Sequence, residues 1–207
     1  MASKGYTSKA KVQNYLLKEI AGSYDAQIDK WIEGVENIID KITQRNFKAD
    51  VTATERLYDG DGTIELMIDE CVQITKVEKG NDSYGGTFTE VPSTGATKYM
   101  EYPPNHSVKG LPCYKVVQVA GLFPCGMQNN RITAKWGYSA AVPADIEFVA
   151  TIFVAGIINQ QTQSGDQVKS ESIGNYQVTY NTNNDNDSWS DFNKAMDILK
   201  TYTRLLI

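Results

Sequence analysis

The sequence predicts an α+β protein in which a helical bundle scaffold holds an inserted, mainly antiparallel β region. Apolar residues recur with a helical period before about residue 50 and after about residue 139, and with a period of two in between. We therefore expect one structural unit built from three segments. These are the N-terminal bundle helices in residues 1–50, the β-rich insertion in residues 51–138, and the C-terminal bundle helices with an intervening loop or extended segment in residues 139–207.

The N-terminal segment predicts two helices. In the first, apolar residues between Val12 and Ile20 follow a helical period, Ser8 is placed to cap the helix, and Gly22 is placed to end it. The second helix runs from Asp25 to about Thr43. Its apolar residues form one stripe, and most of them alternate steps of four and three, which is typical of a helix that packs lengthwise on another. The stripe supplies the first candidates for the bundle core: Ile28, Trp31, Ile32, Val35, Ile39 and Ile42.

The middle segment predicts five to seven strands. Apolar residues alternate with polar ones in several runs between Asp50 and Tyr138. The turn Asp59-Gly60-Asp61-Gly62 lies between two such runs and contains residues that accept a positive φ. We therefore expect Glu55 to Met67 to form a β-hairpin.

Helical periodicity returns after Val142, where Pro143 suits a first helical turn. The apolar face of this helix is broad, which implies burial on two sides. A short extended element is expected around Ile173 to Tyr180, and Ser188 is placed to cap a terminal helix. These two helices supply the remaining candidates for the bundle core: Ile146, Val149, Phe153, Ile157, Phe192, Met196 and Leu199.

Composition and motifs exclude several classes of chemistry. His106 is the single histidine, and its neighbours predict a solvated loop, so most acid–base and nucleophile schemes lack a base. A zinc site would require Cys71, Cys113, Cys125 and His106 to converge, and the sequence contains no CxxC or HxxxH pair. Nucleotide-binding and hydrolase motifs are absent as well. We therefore expect no enzyme activity, no catalytic residue, no cofactor and no metal.

The charge and hydropathy of the chain limit its partners. With a net charge of -5, it lacks the basic surface that grips nucleic acid through its phosphates. No stretch approaches a membrane span, and residues 1–11 contain no apolar run of signal-peptide length. We therefore expect no membrane partner and assembly in a cytoplasm.

Four motifs in the same order resemble the phage head-to-tail connector family, also called adaptor or head-completion proteins. The second helix ends in an Arg-x-Phe signature, a strand and glycine turn follow it, and Gly-Tyr and Val-Pro-x-Asp open the next helix. A conspicuous segment comes after that helix. Together the motifs span most of the chain: Arg45-Asn46-Phe47, Arg56 to Gly62, Gly137-Tyr138 with Val142 to Ile146, and Glu171 to Tyr180.

This resemblance implies a structural virion protein of the phage neck, assembled in the host cytoplasm. It would form a ring of about a dozen subunits below the portal protein, continue the DNA channel, and provide the attachment site for a stopper or tail-completion protein. DNA would pass through the channel without specific binding, which suits the net negative charge. Residues 81–129 exceed what compact members of the family have, and we expect the long β insertion, roughly Gly80 to Asn130, on the outside of the ring.

The resemblance also implies a docking segment, because members of the family tend to dock on the portal through C-terminal residues. Tyr202, Leu205, Leu206 and Ile207 form an apolar run that one helical face cannot accommodate. We expect them to dock on the portal, with packing inside their own subunit or on a ring neighbour as the alternative.

A different function class stays open beside the connector interpretation. Tyr99, Tyr102 and Tyr114 in the β region could line a carbohydrate or partner groove. A tail-associated or carbohydrate-binding module is therefore the alternative function, although strand packing also explains these tyrosines.

Overall fold

The structure, a computed structural model, describes residues 3–80, 86–163, 170–173, 176–179 and 185–204, with side chains described for 3–80, 86–161 and 191–204. The helices are α1 (Lys9–Leu16), α2 (Asp25–Thr43), α3 (Ala144–Gln163) and α4 (Asp185–Tyr202). The strands are β1 (Thr54–Gly60), β2 (Glu65–Gly80), β3 (Phe88–Val91), β4 (Tyr99–Tyr102), β5 (Cys113–Gln118), β6 (Gly126–Trp136), β7 (Ser170–Ile173) and β8 (Tyr176–Thr179). The α+β class with mainly antiparallel strands is therefore confirmed.

The chain divides into two compact units. The helical unit combines Met1–Gln44 with Val142–Ile207, and the β unit is Arg45–Ala141. The helical unit contains all four helices and the antiparallel hairpin of β7 and β8. The β unit contains the other six strands, so it is inserted between α2 and α3.

Helix α3 forms the centre of the helical unit. It contacts α1, α2 and α4. Its buried residues lie around most of its circumference rather than along one stripe, so it is covered from several sides: Ile146, Val149, Ala150, Thr151, Ile152, Val154, Ala155 and Ile158.

The predicted core residues fall into three groups. Seven are buried, namely Ile28, Ile32, Val35, Ile39, Ile146, Val149 and Leu199, and five are half-buried, namely Trp31, Ile42, Phe153, Ile157 and Met196. Phe192 departs from the prediction, because 42% of its surface is exposed. Its ring instead lies 5.2 Å from that of Phe153, so the two aromatics cover each other at the edge of the core.

A buried carboxylate anchors the N-terminal arm on α2. Glu36 is 1% exposed and accepts hydrogen bonds from the backbone N–H groups of Lys4, Gly5 and Tyr6 at 2.7–2.9 Å, and from the Ser3 hydroxyl at 3.0 Å. These donors replace the water that the carboxylate loses on burial. The Tyr6 ring is fully buried beside them. The apolar periodicity of α2 did not predict that Glu36 is buried, because that pattern identifies apolar side chains only. Glu36 lies one turn after Ile32 and one turn before Asp40 on the same helix.

Three local predictions about helix ends have mixed outcomes. Ser8 does cap α1, since its hydroxyl accepts from the Lys11 N–H at 3.4 Å. The predicted stop at Gly22 is wrong: the helix ends at Leu16 because Leu17 adopts a left-handed conformation with φ of 50°. The predicted cap at Ser188 is also wrong, because α4 begins three residues earlier at Asp185.

The β unit is a six-stranded antiparallel sheet with the order β1-β6-β2-β5-β4, and β3 pairs with the far end of β2. One face of this sheet and the segments that cover it form a single core. Its members are Leu66, Ile68, Cys71, Ile74, Val77, Val91, Tyr99, Cys113, Val116, Phe123, Ile132, Ala134 and Trp136.

The predicted hairpin from Glu55 to Met67 is wrong. Strands β1 and β2 both pair with β6, which lies between them. A Cβ built on Gly60 would lie 1.9 Å from the Pro124 carbonyl oxygen, so this glycine permits a close approach of two backbones rather than a two-residue turn. Pairing of β1 with β6, in which Thr54 lies opposite Ala134, is a long-range choice that turn residues do not encode.

The two chain segments that enter and leave the β unit are hydrogen-bonded to each other. Ala49 donates to the Ser139 carbonyl at 2.9 Å, and Tyr138 donates to the Asn46 carbonyl at 2.7 Å. Gly137 has a φ of 138°, and a Cβ there would lie 2.5 Å from the Ala49 Cα, so only glycine permits this contact.

Two motifs of the resemblance meet at this base. The Phe47 and Tyr138 rings lie 5.5 Å apart, and the Arg45 guanidinium lies 5.2 Å from the centre of the Tyr138 ring. Arg45 also pairs with Glu70 at 2.6 Å. The Arg-x-Phe and Gly-Tyr signatures are therefore one structural feature, which closes the base of the β unit.

We predict that Ile39→Asp destabilises the protein by about 3 kcal/mol or more, because it places an unpaired charge in the core of the helical unit. The matched control is Ile38→Asp in the adjacent position, where the side chain is 50% exposed and the expected cost is about 1 kcal/mol or less. Urea unfolding of both variants measures the difference. Equal costs would contradict the assigned burial of the α2 stripe.

Candidate functional site

The portal-docking candidates fall on both sides of the last described residue. The Tyr202 hydroxyl donates to Asp145 Oδ2 at 2.6 Å, and the Arg204 N–H donates to the Thr43 carbonyl at 3.0 Å. The side chain of Tyr202 is therefore engaged within its own subunit. Leu205, Leu206 and Ile207 lie outside the described residues.

One face of β2, β5 and β4 is apolar and exposed. Lys115 lies opposite both Met67 and Tyr102 in the register, and Val117 lies opposite Met100. Paired residues share a face of a sheet, so these side chains form one surface, which we call the outer sheet face. Met67, Met100 and Tyr102 are 59%, 49% and 39% exposed. This is a candidate interaction surface, since grouped methionine and tyrosine side chains are typical of interface centres.

The side chain of Lys115 lies on the outer sheet face, where its positive charge is paired with a carboxylate. The Lys115 ammonium lies 3.0 Å from a Glu65 carboxylate oxygen and 4.4 Å from the centre of the Tyr102 ring. The face therefore presents apolar side chains around one paired charge. Such a pattern leaves no unpaired cation to attract phosphate.

The three tyrosines of the predicted groove do not line one surface. Tyr99 is buried on the inner face of the sheet, and this burial raises its pKa to about 12. Tyr102 points to the outer face, and its ring meets that of Tyr114 edge-on at 5.8 Å. The arrangement gives no continuous aromatic platform for a sugar ring.

The two aspartates of the glycine turn are used as local caps. The Asp59 carboxylate accepts from the Gln128 N–H at 2.7 Å. The Asp61 carboxylate accepts from the N–H and the hydroxyl of Thr63, and these hydrogen bonds lower the pKa of Asp61. Both side chains therefore stabilise backbone near the turn.

The prediction of a solvated His106 is wrong, because this side chain is buried. The residue is 5% exposed, and its Nε2 lies 2.5 Å from the carboxylate oxygen Oε2 of Glu101. Its Nδ1 lies 3.2 Å from the Leu111 carbonyl oxygen. The loop between β4 and β5 folds back on itself through a hydrogen bond from the Leu111 N–H to the His106 carbonyl, which turns the ring inward. Glycine and proline in this segment predicted the loop but not the direction of the side chain.

Two of the three cysteines meet beside this histidine. Cys71 and Cys113 are directly opposite in the register of β2 and β5, and both are fully buried, whereas Cys125 is exposed. The neighbouring Cys71 thiol lowers the pKa of Cys113, while the Cys113 partner and burial raise the pKa of Cys71. The structure thus brings together Cys71, Cys113 and His106, which sequence spacing had kept apart, and adds Glu101.

Comparison with known proteins gives structural neighbours. No family model matches the chain, and no curated protein matches it. The solved structures that match it include the neck of an empty GTA particle, computed with C6 symmetry, and the neck of a native GTA particle, computed with C12 symmetry. The chain shares the fold of these neck proteins. The first has a TM-score of 0.56 with 94% of its chain covered, and the second has a TM-score of 0.52 with 93% covered. Each match covers 100% of this chain at 11% identity.

These neighbours confirm the resemblance to phage head-to-tail proteins at the level of the fold. The match extends through both units, so it includes the β unit as well as the helices. Within the described part of the chain, no helix is long and apolar enough to cross a membrane.

Proposed function

We propose that this chain is a structural protein of the neck of a phage-like particle, where it forms an adaptor ring below the portal. The observation that supports this most directly is the whole-chain fold match to neck proteins whose structures were computed with C6 and C12 symmetry. Such symmetry is that of a closed ring of identical subunits. The ring would continue the DNA channel and receive a stopper or tail-completion protein.

The charge and chemistry of the chain agree with this role. A net charge of -5 gives DNA little to bind, which suits a channel through which DNA must move. Among the described residues, Cys113, His106 and Glu101 bring a thiol, an imidazole and a carboxylate together, but the cysteine and the histidine are buried and so are not presented to a substrate. A structural role without catalysis is therefore the simpler assignment.

The location of the chain in particles tests the proposal. Residues 93–97 form an exposed loop between β3 and β4, and a short epitope inserted there leaves the buried elements intact. Antibody labelling and electron microscopy of the particles should place the epitope at the junction of head and tail. Particles made without the chain should yield heads and tails that stay separate. An epitope at the tail tip would instead favour the carbohydrate-binding alternative.

We further propose that the outer sheet face contacts a neighbouring subunit, while the loop 93–97 lies on the outside of the ring. The register of the sheet groups the exposed methionines of that face with Tyr102 into one apolar surface. The sequence predicted that the whole β insertion lies outside the ring. In this proposal only part of the insertion, including the loop 93–97, lies there.

We predict that the double variant Met67→Glu and Met100→Glu folds but fails to enter particles, because like charges would face an apolar partner surface. Its melting temperature should stay close to that of the wild type, since both side chains are exposed. Incorporation is measured by blotting purified particles after complementation. The control replaces residues 93–97 by two glycines, a change that spares the buried Val91 of β3 and should leave incorporation unchanged. Normal incorporation of the double variant would remove the outer sheet face from the ring contact.

Portal docking by Leu205, Leu206 and Ile207 is also a proposal, and the structure sharpens its test. A deletion that begins at Tyr202 would remove the Asp145 contact and the Arg204 hydrogen bond to Thr43, so it would mix docking with stability. A deletion of residues 205–207 avoids both contacts.

We predict that the chain lacking residues 205–207 keeps the wild-type melting temperature yet no longer joins portal-bearing heads, because an apolar segment that inserts into a groove has been removed. Cosedimentation of the truncated chain with heads measures joining. The matched control is Tyr202→Phe, which removes a hydrogen bond worth about 1 kcal/mol but keeps the segment, and should still join. Wild-type joining by the truncated chain would contradict docking through these residues.

A further inference from the structure

Glu101, His106 and Cys113 bring three different metal-ligand types to one place in the β unit. One carboxylate oxygen, one imidazole nitrogen and one sulfur lie within 4.8 Å of one another. His106 and Cys113 are buried, while the Glu101 side chain is 30% exposed and faces the surface. Among the described residues, this is the group of histidine, cysteine and carboxylate side chains that could hold an ion.

The hydrogen bonds of His106 fix which nitrogen is available. Its Nδ1 can only donate to the Leu111 carbonyl oxygen, which accepts and cannot donate. In the neutral ring, Nε2 then has a lone pair that points at the Glu101 carboxylate. A lone pair and a carboxylate repel each other, so a positive charge has to lie between them, either a proton or a metal ion. Donation of the second ring N–H to a backbone carbonyl is also the usual support of a histidine that binds a metal.

We propose that Glu101, His106 and Cys113 form a binding site for a single divalent ion of the zinc class. Thiolate, imidazole and carboxylate together suit Zn²⁺, whereas calcium and magnesium prefer oxygen alone. In a tetrahedral zinc site, ligand atoms lie about 3.3–3.8 Å apart because the metal bonds are about 2.0–2.3 Å long. The three atoms need to adjust by about 1 Å to reach this geometry, with the histidine and glutamate opening to admit the ion.

The surroundings supply the remaining requirements of such a site. The half-buried Glu101 provides an entry path from solvent. Cys71 lies opposite Cys113 in the sheet and both side chains are fully buried, so the strand pairing and the packing hold that ligand in place. The Cys113 thiol also lies 3.4 Å from the Lys115 carbonyl oxygen, a contact in which it donates its proton. Metal binding would release this proton to solvent as the thiolate forms. The ion would tie the loop between β4 and β5 to the sheet.

Cobalt(II) provides a direct test with the full-length chain, because thiolate ligation gives Co²⁺ a charge-transfer absorption that oxygen and nitrogen ligands do not. The reduced protein should bind one ion per chain, and Zn²⁺ should displace the colour. Cys113→Ser should abolish the charge-transfer absorption and weaken binding by about 100-fold. Glu101→Gln should weaken binding by about tenfold and keep the absorption, and this half-buried position gives a readout even if Cys113→Ser fails to fold.

Cys125→Ser is the matched control, because Cys125 is an exposed cysteine outside the group. This variant should bind Co²⁺ as the wild-type protein does. The proposal fails if the reduced protein binds no Co²⁺ and no Zn²⁺, in which case a proton bridges His106 and Glu101. It also fails if Cys125→Ser removes binding, or if a disulfide joins Cys71 and Cys113 in protein prepared under reducing conditions. None of these outcomes depends on whether the chain belongs to a neck.

Discussion

The helical unit depends on the burial of α3. Buried valine, isoleucine and alanine side chains lie around most of this helix, so exposing it to water would cost much hydrophobic free energy. Helices α1, α2 and α4 each contact it, and the buried Tyr6 of the N-terminal arm adds to the same unit. Glu36 is also buried in the helical unit. Its carboxylate is stabilised there because four donors hydrogen-bond to it, and the same bonds hold the N-terminal arm against α2. Apolar burial sets the arrangement of the helices, and the carboxylate fixes the path of one short segment.

In the β unit, the arrangement of the strands depends in the same way on the central strand of the sheet. Strand β2 pairs with β6 along its later half and with β5 along its earlier half, so one long strand organises both sides. The irregular register near Cys71 and Gln73 marks the change of partner. Because Cys71 lies at this junction, the buried thiols and His106 lie beneath the point where the sheet changes partners.

Much of the fold was predictable because its causes are local. The stripe from Ile28 to Ile39 and the alternation in β2 are visible in the order of residues alone. The pairing of β1 with β6 was not, because the glycine turn between β1 and β2 suggested a hairpin while burial of β6 between them decided the topology. The inward direction of the His106 side chain was not predicted, for a related reason. Loop composition predicts a turn, whereas a hydrogen bond to Leu111 and a carboxylate on the preceding strand decide where the ring goes.

The hydrogen bonds between the first and last segments of the β unit affect which insertions the chain can tolerate during evolution. Asp50 donates to the Trp136 carbonyl at 2.8 Å, and with Ala49 and Tyr138 it binds the two crossing segments side by side. The ends of the inserted domain therefore meet whatever its length, and the scaffold pays no additional closure entropy when the insert grows. Even without this pairing, each doubling of an open loop would add only about 0.6 kcal/mol. An insert of almost any size can thus be gained, lost or exchanged at this point without refolding its host, which makes the junction a place where related proteins are free to diverge.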